Sequence, residues 1–248
     1  MIYELVTLEQ RPDLGEQVRR LSQEAWPEFL QHDQACARYW RSLFESFARF
    51  QLLLCQAGDL VIAVGHTIPV VWDGTREDLP SGIDGVLERG VHNAQDQRPP
   101  TTLSALAAIV ARSHQRQGLS ATLVRAMRSI AAAHGLKALI APVRPTLKHR
   151  YPLTPIERYA RWTGSDGSPF DPWLRVHWRL GAAYLQVAPQ SMVVAGTVAE
   201  WEAWTAMCFP ESGLYVVPGA LQPVIIDREQ DVGRYEDPNI WMRHATVV

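Results

Sequence analysis

Apolar and polar positions change period several times along this chain, and each change marks an element. "IYELVTL" at 2–8 alternates between β-formers and polar residues, which predicts a first strand. "EQVRRLSQEAWPEFL" carries Val18, Leu21, Ala25 and Phe29 at helical spacing, and "ACARYWRSLFESFARF" places Tyr39, Leu43, Phe47 and Phe50 on one helical face. "QLLLCQAGDLVIAVGHTIPVVW" then gives two strands around the turn at Ala57, Gly58 and Asp59. Residues 73–100 are crowded with Gly, Pro and Asp, and predict a long excursion with at most one short helix around Gly85 to Gly90. The strongest pattern follows. "TLSALAAIVARS" is a continuous apolar strand, 118–134 is a helix closed by Gly135, and "LKALIAPV" is another buried strand, together a βαβ unit. Along its helix Leu119, Leu123, Ala126, Ile130 and Ala133 fall on one stripe. Beyond Pro142 the chain grows dense in Arg, Trp and Pro, with a helix at 172–180 ended by Gly181. The strand "AYLQVAPQSMVVAGTV", the short helix "TVAEWEAWTAM" and a last extended segment "GLYVVPGALQPVIID" complete the reading. The class is mixed α/β, and no linker separates the 248 residues into parts, so one domain is expected over 1–248.

Composition narrows the function classes. With 47% hydrophobic and 20% charged residues the chain can bury a large core, and a formal net charge of −2 supplies no basic field for nucleic acid or an anionic membrane. No window reaches the 18 apolar residues of a membrane span, and the N-terminus lacks a charged region followed by an apolar one. Cys36, Cys55 and Cys208 are too few and too far apart for a disulfide framework or a CxxC metal site. They read as ordinary thiols in a reducing cytoplasm, and no metal is expected.

Chemistry concentrates where the strand at 102–113 meets the following helix. Gly118 opens that helix after Gln115, Arg116 and Gln117, and is followed by Leu119 and Ser120. Backbone N–H groups can approach a phosphate only where no side chain intrudes, and the helix dipole favours the anion. A lone QxxGxS is most often only a tight turn, so its place between an apolar strand and an amphipathic helix decides the reading. Neither GxGxxG nor GxxxxGK[ST] occurs to support a Rossmann or P-loop alternative.

In that context the segment resembles the Gln/Arg-x-x-Gly-x-Gly/Ala signature of the GNAT superfamily of acyl-CoA-dependent acyltransferases, with Ser120 where the family has Gly or Ala. The resemblance implies a GNAT fold with an elaborated C-terminal region, a coenzyme-binding core at about 101–190, and acetyl-CoA or another acyl-CoA as co-substrate. Its pyrophosphate would meet the backbone of Gln115, Arg116, Gln117, Gly118, Leu119 and Ser120, and its pantetheine arm would pair with the strand edge at Ile109, Val110 and Ala111.

"FDPWLRVHWRLGA" is similar to a DPxLxxHxxxGA stretch in a GNAT subgroup that includes domains fused to carbon–nitrogen hydrolases and GNAT-like loading domains of polyketide synthases. The resemblance gives His177, four residues before Gly181, the proton-transfer role, and makes Thr146 the counterpart of a second catalytic residue. A lone histidine on a helix rich in Trp and Leu is otherwise a satisfied core residue. An imidazole near pKa 6.5 can exchange protons at neutral pH. Three readings follow: acetyl transfer to the amine of a small molecule or protein; acyl transfer to an acyl carrier protein thiol, with decarboxylation of malonyl-CoA; and a non-catalytic acyl-CoA sensor. Arg144, Lys148, His149, Arg150, Arg158 and Arg161 would form a basic patch for the carrier, although a solvated face is the default. Nine tryptophans are explained mainly by core packing, with one or two walling an acceptor pocket. An oligomer is compatible with all of this.

Overall fold

The computed structural model describes residues 3–246. Strand β1 (Glu4–Thr7) leads to α1 (Gly15–Gln23), α2 (Gln34–Tyr39) and α3 (Ser42–Glu45), followed by the hairpin β2 (Leu52–Gln56) and β3 (Leu60–Val70). The expected first strand is found, with Ile2 outside the described residues. The two expected helices at 16–30 and 35–50 are both shorter than their periodicity. α1 stops at Gln23, and Pro27 precedes a separate 3-10 turn at Glu28–His32. The second is broken between Tyr39 and Ser42, and a 3-10 turn at Ala48–Phe50 takes its end. Tyr39, Leu43, Phe47 and Phe50 are nevertheless all buried.

Residues 73–100 carry more order than their composition predicts. α4 (Ile83–Gln95) spans 13 residues. Its glycines serve packing: a Cβ on Gly90 would lie 2.4 Å from Ile68 Cδ1, so glycine is what lets the helix sit against β3.

β4 (Thr102–Val110), α5 (Leu119–Ala133) and β5 (Ala138–Val143) form the βαβ unit where the sequence places it. The buried stripe of α5 comprises Leu119, Leu123, Val124, Ala126, Met127 and Ala131. Ile130 is half-buried and Ala133 exposed, so the stripe turns away from the expected line in the last turn. Gly135 ends the helix at φ 69°. α6 (Ile156–Tyr159), α7 (Pro172–Arg179), β6 (Ala183–Gly196), α8 (Val198–Thr205), β7 (Gly213–Tyr215), β8 (Val224–Asp227) and β9 (Val232–Ala245) complete the chain.

The expected final extended segment at 213–227 is two short strands, and the 14-residue β9 is an element the sequence reading missed. Its run VGRYEDPNIWMRHA mixes charges and a proline among apolar residues, which hides a strand from any periodicity. Yet β9 is central. It pairs with β5 and β6 as well as β8, within one nine-stranded sheet of order β1-β2-β3-β4-β5-β9-β8-β7 with β6 on β9. Among the described residues only β4 and β5 run parallel.

Candidate active site

Two local irregularities open the sheet. β4 and β5 are paired only at Leu103 with Leu139 and Ser104 with Ile140, and then diverge. Opposite β3 the register slips between His66 and Thr67, where Ala105 and Ala107 have partners and Leu106 is the extra residue. That is a β-bulge, which bends the strand and re-aims its backbone groups. Beyond Ser104, β4 therefore presents an unpaired edge toward the gap left by β5. The gap is a cleft of about 670 Å³, walled by β4 from Ala105 to Val110 and by Ala141, Pro142, Val143 and Arg144.

At the mouth of this cleft the chain passes through two left-handed residues, Arg116 at φ 62° and Gly118 at φ 79°, and enters α5. No side chain caps the N-terminus of α5. The first-turn N–H groups thus have no side-chain acceptor and sit at the positive end of a 15-residue helix. A Cβ placed on Gly118 would meet nothing within 4 Å, so the glycine is favoured by its backbone angle rather than by a protein neighbour, and the space before it is open.

Of the expected coenzyme residues, Ile109, Val110, Gln115, Arg116, Gly118, Leu119 and Ser120 line the cleft. Ala111 and Gln117 do not. The N–H of Ala111 donates to Ile62 O at 2.8 Å, and the Gln117 side chain turns out to accept a 3.1 Å hydrogen bond from the Tyr3 hydroxyl.

α7 brings His177 to the cleft from the other side, with Pro172, Trp173 and Val176. Its N-terminus is set by Asp171, which is 1% exposed and accepts from Trp173 N at 2.9 Å and Leu174 N at 3.3 Å. The same carboxylate accepts from Leu147 N at 2.8 Å and Tyr159 Oη at 2.9 Å, and lies 3.5 Å from Thr146 Oγ1. Asp171 is thereby the joint that fixes the Thr146 loop against α7, and both Thr146 and His177 line the cleft.

His177 itself is 2% exposed. Its Nδ1 lies 2.9 Å from Nε2 of His244 on β9, while its Nε2 has no hydrogen-bond partner. Burial, and secondarily His244, pushes the His177 pKa down to about 3, so the ring is neutral at physiological pH rather than poised near 6.5 as expected from the sequence. His244 is likewise pushed down to about 4 by burial and by the Arg128 charge. Nothing in the sequence pointed to His244, because its partner is 67 positions away.

Two of the six residues of the expected basic patch turn inward, while His149, Arg150, Arg158 and Arg161 are exposed. Arg144 turns inward to an ion pair with Asp237 at 3.0 Å and donates to Gly219 O at 2.9 Å. Lys148 is fully buried, its ammonium donating to Tyr151 O and Leu221 O. Both were read from charge alone, and the tertiary structure uses them to tie the loop after β5 to the segment before β8.

A second cavity of about 220 Å³ adjoins the cleft through Trp26 and Leu106, which line both. Leu30, Trp40, Ile83 and Met192 make it largely apolar, with Ser22, Gln23, Gln31 and Cys36 as its polar side chains. The expectation of one or two tryptophans near an acceptor site rests on Trp26 and Trp40. Behind Cys36 lie Asp33 and Asp84, the trio among the described residues close enough to share an ion. Burial, and secondarily the Asp33 charge, pushes the Asp84 pKa up to about 8, and burial raises that of Asp33 as well.

No family model matches the chain. It is 32% identical over 273 residues to the arginine N-acetyltransferase avaD of Aspergillus versicolor, an alignment covering 98% of this chain and 93% of that protein. Among solved structures it is similar to the loading GNATL domain of CurA from Lyngbya majuscula, with a TM-score of 0.62 at 15% identity over 99% of this chain and 98% of that one. It is also similar to the GphF GNAT-like decarboxylase in complex with isobutyryl-CoA, with a TM-score of 0.56 at 14% identity over 100% of both chains. At such identities these two structures speak for the fold.

Proposed function

The chain belongs to the GNAT superfamily of acyltransferases, and from that premise we propose that it moves an acetyl group from acetyl-CoA to the amine of a small molecule. The observation that carries the reading is the cleft itself. It joins an uncapped helix N-terminus, an unpaired strand edge and an unpartnered imidazole nitrogen in one continuous space. The pyrophosphate is held by the N–H groups around Gly118, with Arg116 adding charge. The pantetheine arm pairs with the free edge of β4 as an extra strand would, through Ile109 and Val110. The thioester then lies near the bulge at Leu106, where re-aimed backbone N–H groups polarise its carbonyl. The amine comes from the side of the smaller cavity, past Trp26. His177 Nε2 handles the proton that must travel from nitrogen to sulfur. The N-acetyltransferase relative acts on arginine, which makes L-arginine the first acceptor to try. Three unpaired thiols fit a reducing cytoplasm as the place of action, and among the described residues no helix is long and apolar enough to cross a membrane.

The test is a mass-spectrometric screen of amines, L-arginine first, with acetyl-CoA, alongside measurement of free thiol. An N-acetylated amine formed in step with thiol release is the expected result. Binding of acetyl-CoA with no product from any amine or carrier overturns catalysis in favour of a sensor. Thr146 and His177 sharing the cleft supports a second reading, decarboxylation of malonyl-CoA with transfer to a carrier thiol. Carbon dioxide release from malonyl-CoA in the same screen selects it.

A further inference from the structure

A buried chain of three polar side chains, Gln51, His66 and Ser22, ends at the wall of the smaller cavity, and its protons can be assigned from contacts alone. The Gln51 amide stands in one orientation: its Nε2 donates to Phe47 O at 2.9 Å and Thr67 O at 2.8 Å, and its Oε1 accepts from Thr67 N at 3.3 Å. That oxygen lies 3.0 Å from His66 Nδ1, so Nδ1 carries a proton and donates it. His66 Nε2 lies 2.9 Å from Ser22 Oγ, which is itself 2.8 Å from Val18 O. A neutral ring takes the Ser22 proton on Nε2. A charged ring donates to Ser22 Oγ, and the Ser22 proton goes to Val18 O. In both cases the single hydroxyl proton is used inside the protein, and Ser22 keeps only lone-pair capacity for anything else.

The neighbours of Ser22 have the same polarity. Gln31, also on the smaller cavity, donates its Nε2 to Gln23 O at 3.3 Å and Trp26 O at 3.4 Å, which leaves Oε1 as its free end. Glu24 is the acidic residue that lines the main cleft, and among the described residues it is in no ion pair. Between them Trp26 lines both spaces. We propose that the smaller cavity and its junction with the cleft are the subsite for a second, cationic N–H group on the acceptor, with Ser22 Oγ as its fixed hydrogen-bond acceptor and Glu24 as its counter-charge, so that dibasic amines are selected over monoamines of similar length. The inference rests on the acetyl-transfer reading above and adds which part of the acceptor is recognised. A hydroxyl with a free proton could meet a carbonyl or a carboxylate equally well. Ser22 cannot, because a substrate oxygen placed there would set lone pair against lone pair. Trp26 adds an aromatic face suited to a flat cation such as guanidinium.

The test measures, by calorimetry, binding of L-arginine, L-citrulline and L-norleucine to the protein saturated with coenzyme A, in wild type and in Ser22→Ala, Ser22→Thr and Glu24→Gln. Citrulline keeps the length of arginine and replaces the cation by a neutral urea, and norleucine ends in a methyl group. The wild type should hold L-arginine at least about 10-fold more tightly than either, the scale of a hydrogen bond to a charged group. Ser22→Ala should weaken L-arginine binding about 10-fold and leave coenzyme A and norleucine unaffected, while Ser22→Thr, which keeps the hydroxyl, should restore most of the loss. Glu24 is exposed, so Glu24→Gln keeps the fold and should weaken L-arginine about 2–5-fold, with a smaller effect at high salt. Equal affinity for the three amino acids overturns the proposal, as does absence of L-arginine binding or full discrimination in either Ser22→Ala or Glu24→Gln. If Ser22→Ala melts early, Glu24→Gln decides. Selective binding of L-arginine with no acetylated product from any amine would strike the acetyl-transfer reading and not the subsite.

Discussion

The two ends of the cleft are built in opposite ways. Its mouth comes from one short stretch, Gln115 to Ser120, exposed or half-buried apart from Leu119 and lining the cleft at every residue but Gln117. Its floor is made of side chains drawn from separate elements: Thr146 after β5 and His177 on α7 line it, with Asp171 before α7 and His244 on β9 behind them. A phosphate can be held by any sequence that presents N–H groups with the right turn, so the mouth needs glycine and little else. Moving a proton needs one particular nitrogen in one protonation state, so the floor needs burial and a partner at 2.9 Å. Binding and chemistry should therefore fail independently.

The largest expected effect comes from the floor. His177→Phe should lower kcat about 10²–10⁴-fold and leave acetyl-CoA affinity in place, measured as steady-state kinetics beside calorimetric binding. Loss of coenzyme binding in this variant would break the division. From the mouth, Gly118→Val should weaken coenzyme A binding by about 10–100-fold through loss of the N–H cradle, with about 1–2 kcal/mol of backbone strain at φ 79°. It is read as loss of the ligand-induced rise in Tm. An undiminished rise would remove this loop from coenzyme binding.

Smaller effects sharpen the contrast. Asp171→Ala deletes the cap of α7 and the anchor of the Thr146 loop, and denaturant unfolding should show a loss of about 1–3 kcal/mol while coenzyme affinity is kept. Acid should act on buried histidines before it acts on the mouth. His177 is held at about 3, and His66 and His244 at about 4, all below their unfolded value near 6.5. Between those limits the unfolded chain binds more protons, so stability is full above 6.5 and is lost progressively as pH falls toward 4. A melting series from pH 7.5 to 4.5 should show Tm falling. A flat series would mean that these rings are solvated.

How much of this was legible follows the same contrast. The βαβ unit and its glycine could be read because strand, turn and helix each satisfy their own local rules within 42 residues, from β4 to β5. α4 was largely hidden, since Gly85 and Gly90 look like breakers until Ser81 and Ile68 are seen to occupy the space where side chains would be. β9 was hidden because its polar residues find partners only in the fold: Asp237 pairs with Arg144 just beyond β5, and Tyr235 Oη donates to Asp237 on the same strand at 2.6 Å. Pairing on both sides lets such a strand bury polar groups that would otherwise mark a loop.

The sequence by itself determined the order of elements, the left-handed turn at Gly118 and the place of His177 on a helix capped by Asp171, because these depend on neighbours a few residues away. The tertiary structure alone decided that Arg144 and Lys148 point inward, that β4 and β5 part after Ser104, and that His244 faces His177. Those outcomes depend on contacts between distant segments, and a charge, a strand edge or an imidazole has no fixed chemistry until its surroundings set the solvent and the hydrogen bonds around it.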